Sequence, residues 1–247
     1  MFNNFMIAGF APALGLAAAL STAPALAQHA GDVLVGRSSS NQLMVGPAGS
    51  GGYVPDENIK VLPPVSSPPG LFNGWSENNP GFDHIVTDQP GLDFFTLQSG
   101  TQVRIEVVQV DPAFQTISPS FVVIDDPGER ILLGGNSLHT HLTWLINSDH
   151  PLFDPLKVLW RATFKLVDTG STAYVESAPF TFYFARVACM RGDCNDDGTI
   201  DALDIPDFIT TVLDPMAAAD EDRCRTDLNQ DGYATVDDVE AFAEALL

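Results

Sequence analysis

Positive charge is scarce in this 247-residue chain, which has 11 lysines and arginines against 32 aspartates and glutamates. The formal net charge is −21 at pH 7. Nucleic acids and anionic membranes both attract proteins through basic patches, and no segment of this chain supplies a basic stripe. The composition therefore argues against nucleic-acid binding and against association with an anionic membrane surface.

Cysteine is also scarce, and all three cysteines, Cys189, Cys194 and Cys224, lie in the C-terminal segment 189–247. They lack the paired C-x₂-C arrangement, and that segment contains no histidine, so a structural zinc site is not expected there. An exported protein with three cysteines can form one disulfide and keep one thiol, which leaves three possible pairings. We favour Cys194 with Cys224, a bond that would tie the acidic segment 193–204 to the start of a second acidic segment, 227–238.

Familiar catalytic motifs are missing. The chain has no G-x-S-x-G, no H-E-x-x-H and no nucleophile with an assignable base. A carboxylate pair for glycoside hydrolysis meets only in the fold, and Glu106 and Glu176 are the strand carboxylates considered for it. We expect both to face solvent. The sequence thus favours a non-enzymatic protein, with an extracellular polysaccharide-degrading enzyme as the alternative.

The N-terminus has the features of an export signal. Residues 5–20 are apolar, and Ala-Leu-Ala at 25–27 is a small-residue cleavage site. Cleavage after Ala27 would make Gln28 the first mature residue. The first five residues carry no lysine or arginine, so a retained membrane anchor is the alternative, although Pro12 favours a cleaved signal. We expect a signal peptide at 1–27 and a bacterial protein that is secreted, periplasmic or on the cell surface.

Two twelve-residue segments, 193–204 and 227–238, have the spacing of calcium loops. Both place oxygen ligands at positions 1, 3 and 5, glycine at 6 and a carboxylate at 12, as a cation of calcium size requires. The first loop would bind through Asp193, Asn195, Asp197, the carbonyl of Thr199, Asp201 and Asp204. The second would bind through Asp227, Asn229, Asp231, the carbonyl of Tyr233, Thr235 and Asp238. The sequence predicts two Ca²⁺ sites.

A helical pattern follows each loop. Apolar residues recur at i, i+3, i+4, i+7 and i+8 after both loops. They are Ile205, Phe208, Ile209, Val212 and Leu213 in the first repeat, and Val239, Phe242, Ala243, Leu246 and Leu247 in the second. Because neither helix could bury its stripe alone, we expect the two stripes to pack on each other.

Residues 189–247 resemble a type I dockerin, because each loop is followed by a helix and the segment before the first loop has the pattern of a strand. The resemblance implies a small all-α, EF-hand-like module that binds calcium in both loops and docks onto a cohesin domain of another protein. In that family, loop positions 10 and 11 contribute to cohesin choice and are commonly small hydroxyl residues. This chain has Ala202 and Leu203 in the first loop, and Val236 and Asp237 in the second.

Negative charge is concentrated in this module, which holds sixteen acidic and three basic side chains and so has a net charge of −13. The loop carboxylates repel one another when no cation is bound. We therefore expect the metal-free module to be poorly folded, and calcium to supply much of its folding free energy.

Residues 28–188 differ in composition, with short β-rich runs separated by proline and glycine. The runs are 33–35, 94–97, 103–110, 121–124, 142–146, 158–167 and 180–187. About 160 residues of this kind predict a β-sandwich of eight or more strands, with long loops over 46–91. Segments 29–35 and 132–135 resemble parts of uncharacterised exported bacterial proteins, a resemblance that implies no activity.

Two ligand hypotheses apply to this β-domain, which contains all five histidines. On a strand, His139 and His141 would share one face, so a transition-metal site with His29, His84 or His150 is one hypothesis, and chance proximity in sequence is the other. Trp75 lies in a polar segment and is the tryptophan expected to be exposed and able to stack on a carbohydrate, whereas Trp144 and Trp160 are expected in the core.

Overall fold

A computed structural model of the protein describes residues 31–65 and 73–247. The predicted signal peptide at 1–27 and His29 lie outside the described residues. Within them, no helix combines the length and the apolar character needed to cross a bilayer. The described residues are mainly β, and their three α-helices all lie in the C-terminal part.

Three sheets make up the β-domain over the residues that the structure describes. The thirteen strands β1 to β13 span, in chain order, Val33–Arg37, Leu43–Val45, Ile59–Val61, Gly74–Glu77, Phe82–His84, Val103–Val110, Phe114–Ile117, Val123–Ile124, Arg130–Gly134, His139–Thr140, Thr143–Asn147, Leu159–Asp168 and Phe180–Ala185. The sheet orders are β10-β5-β1-β2, β4-β11-β7-β8 and β3-β13-β12-β6-β9. Pairing is antiparallel except between β1 and β5 and between β3 and β13.

The longest strands, β6 and β12, form the centre of the five-stranded sheet. Successive side chains of a strand point to opposite faces, and β12 follows this rule. Ala162, Phe164 and Leu166 are fully buried, whereas Arg161 and Lys165 lie on the other face with greater exposure. One face of this sheet is therefore apolar and must be covered by other strands.

An aromatic core joins the sheets. Trp144 of β11 lies 4.9 Å from Phe182 and 5.2 Å from Phe184 of β13, measured between ring centroids. Phe114 of β7 stacks on Phe184 at 4.8 Å, and Phe82 of β5 meets Phe182 edge to face at 6.2 Å. All three sheets thus contribute to one buried cluster, and Trp144 and Trp160 lie in it as predicted.

Several predicted strands differ from those observed. The run 94–97 is not a strand, since Phe94 and Phe95 make only isolated bridges. The segment 46–91, predicted as loops, contains β3, β4, β5 and two 3₁₀ turns at Pro55–Glu57 and Pro90–Leu92. These strands have only three or four residues, and their proline- and glycine-rich surroundings hide the alternation that identifies longer strands.

The C-terminal part contains three short α-helices, α1 at Ile205–Leu213, α2 at Asp220–Thr226 and α3 at Val239–Ala245. The helices α1 and α3 follow the two acidic loops, as the pattern predicts, and each continues a 3₁₀ turn, at Ala202–Asp204 and Val236–Asp238. The helix α2 lies between the two loop–helix repeats, where the sequence pattern predicts no helix. It has only about two turns, which is too short to show a clear apolar period.

Loss of core aromatic packing should destabilise the β-domain. Phe182→Ala removes a ring that is fully buried among other rings, and we expect the free energy of unfolding to fall by about 3–5 kcal/mol. The control is Phe121→Ala, because Phe121 is 73% exposed, and its cost should stay within about 0.5 kcal/mol. Urea denaturation measures both, and equal costs would contradict the proposed core.

Candidate calcium loops

The two acidic loops follow the same backbone path. At loop position 4, Asp196 and Gln230 have φ of 61° and 59°, and at position 6, Gly198 and Gly232 have φ of 88° and 100°. These left-handed conformations make the chain turn sharply twice within three residues, and glycine adopts them at little cost. The backbone therefore wraps around the centre of each loop in the same way.

The closing carboxylates of both loops are buried and bound by equivalent backbone amides. Asp204 accepts hydrogen bonds from the N–H groups of Asn195 at 3.0 Å and Asp201 at 2.8 Å. Asp238 accepts them from Asn229 at 3.0 Å and Thr235 at 2.9 Å. Both side chains are 0% exposed, and burial raises the pKa of Asp238. In each loop, two backbone amides thus hold the carboxylate of the twelfth residue inside the turn.

The opening carboxylates, Asp193 and Asp227, differ in how many hydrogen bonds their oxygens accept. Asp193 accepts hydrogen bonds from the N–H groups of Asp197 and Gly198, both at 3.0 Å. Asp227 accepts one from Gly232 at 3.3 Å, but its Oδ2 is buried without a hydrogen-bond donor among the described residues. Burial raises the pKa of Asp227 to about 6. An unsatisfied, buried carboxylate oxygen at the first ligand position fits a bound cation.

The remaining predicted ligands line the turns in matched positions. Hydrogen bonds from Thr199 hold Asp197 in place and lower its pKa, and the N–H of Tyr233 donates to Asp231 at 2.9 Å. The Oδ1 atoms of Asn195 and Asn229 accept from the amides two residues ahead, at 3.0 and 2.9 Å. The side chains of Asp201 and Thr235 accept from Leu203 and Asp237 and begin the 3₁₀ turns. This set of carboxylate, amide and carbonyl oxygens is the chemistry that Ca²⁺ prefers.

A small core below the loops shows the same duplication. Its six residues form three pairs of equivalent positions in the two repeats: Cys194 with Leu228, Phe208 with Phe242, and Val212 with Leu246. The rings of Phe208 and Phe242 stack at 4.1 Å with an interplanar angle of 5°. The predicted packing of the two apolar stripes on each other is confirmed for Phe208, Val212, Phe242 and Leu246, but it does not include the whole of either stripe. Ile205, Ile209, Leu213 and Val239 remain 38–78% exposed.

The disulfide also differs from the favoured pairing. Cys189 is bonded to Cys224, with a Cα–Cα distance of 6.0 Å, and joins the segment before the first loop to α2. Cys194 is the free thiol. It is buried because it packs with Phe208 and Phe242 in the small core. Burial raises the pKa of Cys194 to about 11, so this thiol is a packing residue rather than a reactive one.

The second loop contacts the β-domain, a feature that the sequence did not indicate. The N–H of Val158, just before β12, donates to the carbonyl of Gly232 at 2.9 Å. Lys157 lies over the ring of Tyr233, with its Nζ 5.0 Å from the ring centroid. Arg186, after β13, pairs with Asp220 of α2 at 2.7 Å. Loop two is therefore held between its own helix and the five-stranded sheet.

The histidines assemble differently from the hypothesis. The Nε2 atoms of His139 and His141 lie 3.3 Å apart, as a shared site requires. Their third neighbour is Asp32 rather than another histidine of the described residues. His84 instead contacts Asp83 and the carbonyl of Leu138, and His150 accepts from the amide of Leu152. Asp32 was missed because it lies far from both histidines in sequence.

The residues considered for carbohydrate chemistry are engaged in other contacts. Trp75 lies in β4 and is half-buried rather than exposed, with Phe153 stacked on it at 6.2 Å and Arg186 over its ring at 5.2 Å. Glu106 is 8% exposed rather than solvent-facing, and it pairs with Lys165 at 3.2 Å and with Arg130. Glu176 pairs with the same Lys165 at 2.8 Å. Ion pairs with lysine and arginine therefore account for both carboxylates without a catalytic role.

The contact between loop two and the β-domain distinguishes two equivalent glycines. A Cβ at Gly232 would lie 2.5 Å from the Leu159 carbonyl oxygen, whereas a Cβ at Gly198 meets nothing within 4 Å. Both glycines are left-handed, so each alanine variant should lose about 1–2 kcal/mol of stability from backbone strain. Gly232→Ala should lose clearly more, because the steric clash adds to that strain. Urea denaturation in saturating calcium measures the difference, and equal losses would argue against the contact.

Comparisons with known protein families, with curated proteins and with solved structures each found no match for this chain. The interpretation of the two loops therefore depends on the chain's own residues and their geometry.

Proposed function

We propose that this is an exported, non-enzymatic protein in which a β-sandwich domain, residues 28–188, carries a dockerin-like module, residues 189–247. In this proposal the module binds two Ca²⁺ ions, folds around them and attaches the protein to a partner. The observation that carries the proposal is the duplication of the loops. Ligand positions, left-handed residues and buried carboxylates recur at equivalent places in both loops, and the opening carboxylate of loop two keeps an unsatisfied oxygen.

The distribution of charge supports a role for divalent cations. The module contains only three basic residues, and two of them pair closely with its own carboxylates. Arg223 pairs with Asp220, and Arg225 pairs with Asp196 at 2.8 Å and Asp222 at 3.0 Å. Arg191 lies 3.8 Å from Asp227, too far for a hydrogen bond. Internal cations therefore offset only three of the sixteen negative charges, and bound Ca²⁺ would offset part of the remaining −13 in the loops.

An exposed apolar surface supports attachment to a partner. Large apolar side chains on or beside α1 and α3 have 48–78% of their surface exposed. These five residues, here called the apolar face, are Leu203, Ile209, Leu213, Val236 and Val239. Leu203 and Val236 each lie one or two residues before a closing carboxylate, so ion binding and the apolar face are coupled through the same turns. A suitable partner is a cohesin-like domain with an apolar centre and basic residues around it.

Calcium stoichiometry tests the ligand assignment. Titration calorimetry should find two Ca²⁺ ions per chain for the unmodified protein. Asp204→Ala and Asp238→Ala should each remove one site, because each deletes the closing carboxylate of one loop. Matched controls are Asp207→Ala and Asp237→Ala, which change exposed carboxylates nearby. Unchanged stoichiometry in the first two variants, or no calcium binding at all, would contradict the proposal.

Partner binding tests the apolar face separately from the metal. A cohesin domain should bind the full chain in millimolar calcium and release it in EDTA. Leu203→Asp and Val236→Asp should weaken binding by at least about tenfold, the effect of losing roughly 1.4 kcal/mol of contact energy, while both calcium sites stay intact. Leu152→Asp is the control, since Leu152 is 65% exposed on the β-domain. Equal affinity for all three variants would exclude this surface.

A further inference from the structure

A second metal chemistry is suggested by the β-domain. Asp32, immediately before β1, meets His139 of β10 and His141, immediately after β10. The strand β5 lies between β1 and β10 in one sheet, so the three residues come from neighbouring strand ends. We propose that Asp32, His139 and His141 bind a divalent transition-metal ion of the zinc class. This site is separate from the calcium loops and does not depend on the function proposed for them.

The spacing of the three donor atoms matches metal ligation better than hydrogen bonding. The two imidazole Nε2 atoms lie 3.3 Å apart, and each lies 3.7 Å from Oδ2 of Asp32. A distance of 3.7 Å is too long for a hydrogen bond. A triangle with these sides has its centre about 2.1 Å from each corner, which is the length of zinc–nitrogen and zinc–oxygen bonds. One ion near that centre can therefore contact all three donors.

The carboxylate of Asp32 is placed as a ligand would be. The residue is 2% exposed, and the N–H of Gly81 donates to its Oδ1 at 2.9 Å. Its Oδ2 is buried and has no hydrogen-bond donor among the described residues, where its only ion-pair neighbours are the two imidazoles. A buried carboxylate oxygen without a donor is costly unless a cation lies beside it. A metal ion at the triangle's centre supplies that cation.

The imidazole of His141 is held in the orientation that ligation needs. Its Nδ1 lies 3.1 Å from the carbonyl oxygen of Asn78. A carbonyl only accepts hydrogen bonds, so Nδ1 is the donor in this contact and Nε2 is the nitrogen that would bind a metal. Metal-binding histidines commonly make this second contact. Asn78 is itself fixed, because the hydroxyl of Thr143 donates to its Oδ1 at 2.9 Å.

Glycine at position 81 makes room for the histidine ring. A Cβ on Gly81 would lie 2.7 Å from both Cε1 and Nδ1 of His141. The neighbouring Pro80 is anchored by the core, since the indole Nε1 of Trp144 donates to its carbonyl oxygen at 2.9 Å. The segment that orients the histidine is thus fixed to the aromatic core, and it approaches the ring too closely for any side chain at position 81.

The donor set and the surroundings indicate the class of ion. Two imidazole nitrogens and one carboxylate oxygen suit zinc, cobalt or iron(II) and disfavour calcium, which prefers oxygen ligands. A cleft of about 440 Å³, whose lining includes Asp32, Tyr53, Lys60 and His141, leads to the site. Three protein ligands leave room in the coordination shell for a further ligand. The cleft is the route by which the ion, and such a ligand, can reach it.

Metal titration of the full chain tests the site. Millimolar calcium is kept present so that the acidic loops are occupied, and Co²⁺ or Zn²⁺ is then added. One ion should bind per chain, and Co²⁺ should show the intense visible absorption of a four-coordinate site. His139→Ala, His141→Ala and Asp32→Asn should each weaken binding by more than about 100-fold, because even the partners of ligands contribute about 10- to 100-fold. His84→Ala and His150→Ala are controls and should bind normally.

A pair of glycine variants tests the geometry without removing a ligand. Gly81→Ala should weaken Zn²⁺ binding by about 10- to 100-fold, because the new methyl group displaces the His141 ring. Gly91→Ala is the matched control, since a Cβ there meets nothing within 4 Å. Circular dichroism checks that all variants keep their sheets. Undiminished metal binding in the His141→Ala and Asp32→Asn variants would overturn the site. Absence of Co²⁺ and Zn²⁺ binding by the unmodified chain would also overturn the site.

Discussion

Four buried carboxylates, Asp193, Asp204, Asp227 and Asp238, are the constraint on which the C-terminal module depends, because each is at most 2% exposed. Burial of a carboxylate costs several kcal/mol unless hydrogen bonds and a counter-charge offset it. The loops supply hydrogen bonds from their own backbone amides, but the module has too few cations to supply the charge. The apolar core around the stacked Phe208 and Phe242 is small for a segment with a net charge of −13. In the function proposed above, bound calcium is the cation that completes this balance and links folding of the module to the concentration of the ion.

The β-domain contacts the module along loop two. Its aromatic cluster needs no metal, and its five-stranded sheet contacts loop two through Val158 and Lys157. Gly232 therefore satisfies two demands, the left-handed turn of the loop and a close approach to the Leu159 carbonyl. Burial raises the pKa of the adjacent Tyr233 to about 12, which reflects how closely the two parts meet. The exposed apolar side chains of α1 and α3 remain available to a partner.

The sequence predicted what depends on local spacing. The turn glycines and the buried Phe208 and Phe242 repeat at a fixed interval, and long strands such as β6 and β12 show clear alternation. The loop oxygens proposed as calcium ligands repeat at the same interval. What it did not predict depends on residues brought together by the fold. The Cys189–Cys224 bond, the contact at Gly232 and the approach of Asp32 to two histidines join distant segments. The exposure of Ile209 and Leu213 was also missed, because apolar periodicity identifies a helix face without showing what covers it.

Hydrogen exchange of the full chain, with and without calcium, tests most directly whether calcium completes the fold of the module. In millimolar calcium, the amides of α1 and α3 should exchange slowly, because the ion-bound loops hold both helices on the Phe208–Phe242 pair. In EDTA these amides should exchange rapidly, while those of β6 and β12 should stay protected by the aromatic core. Equal protection of α1 and α3 under both conditions would show that the module folds without the ion, and would contradict the account.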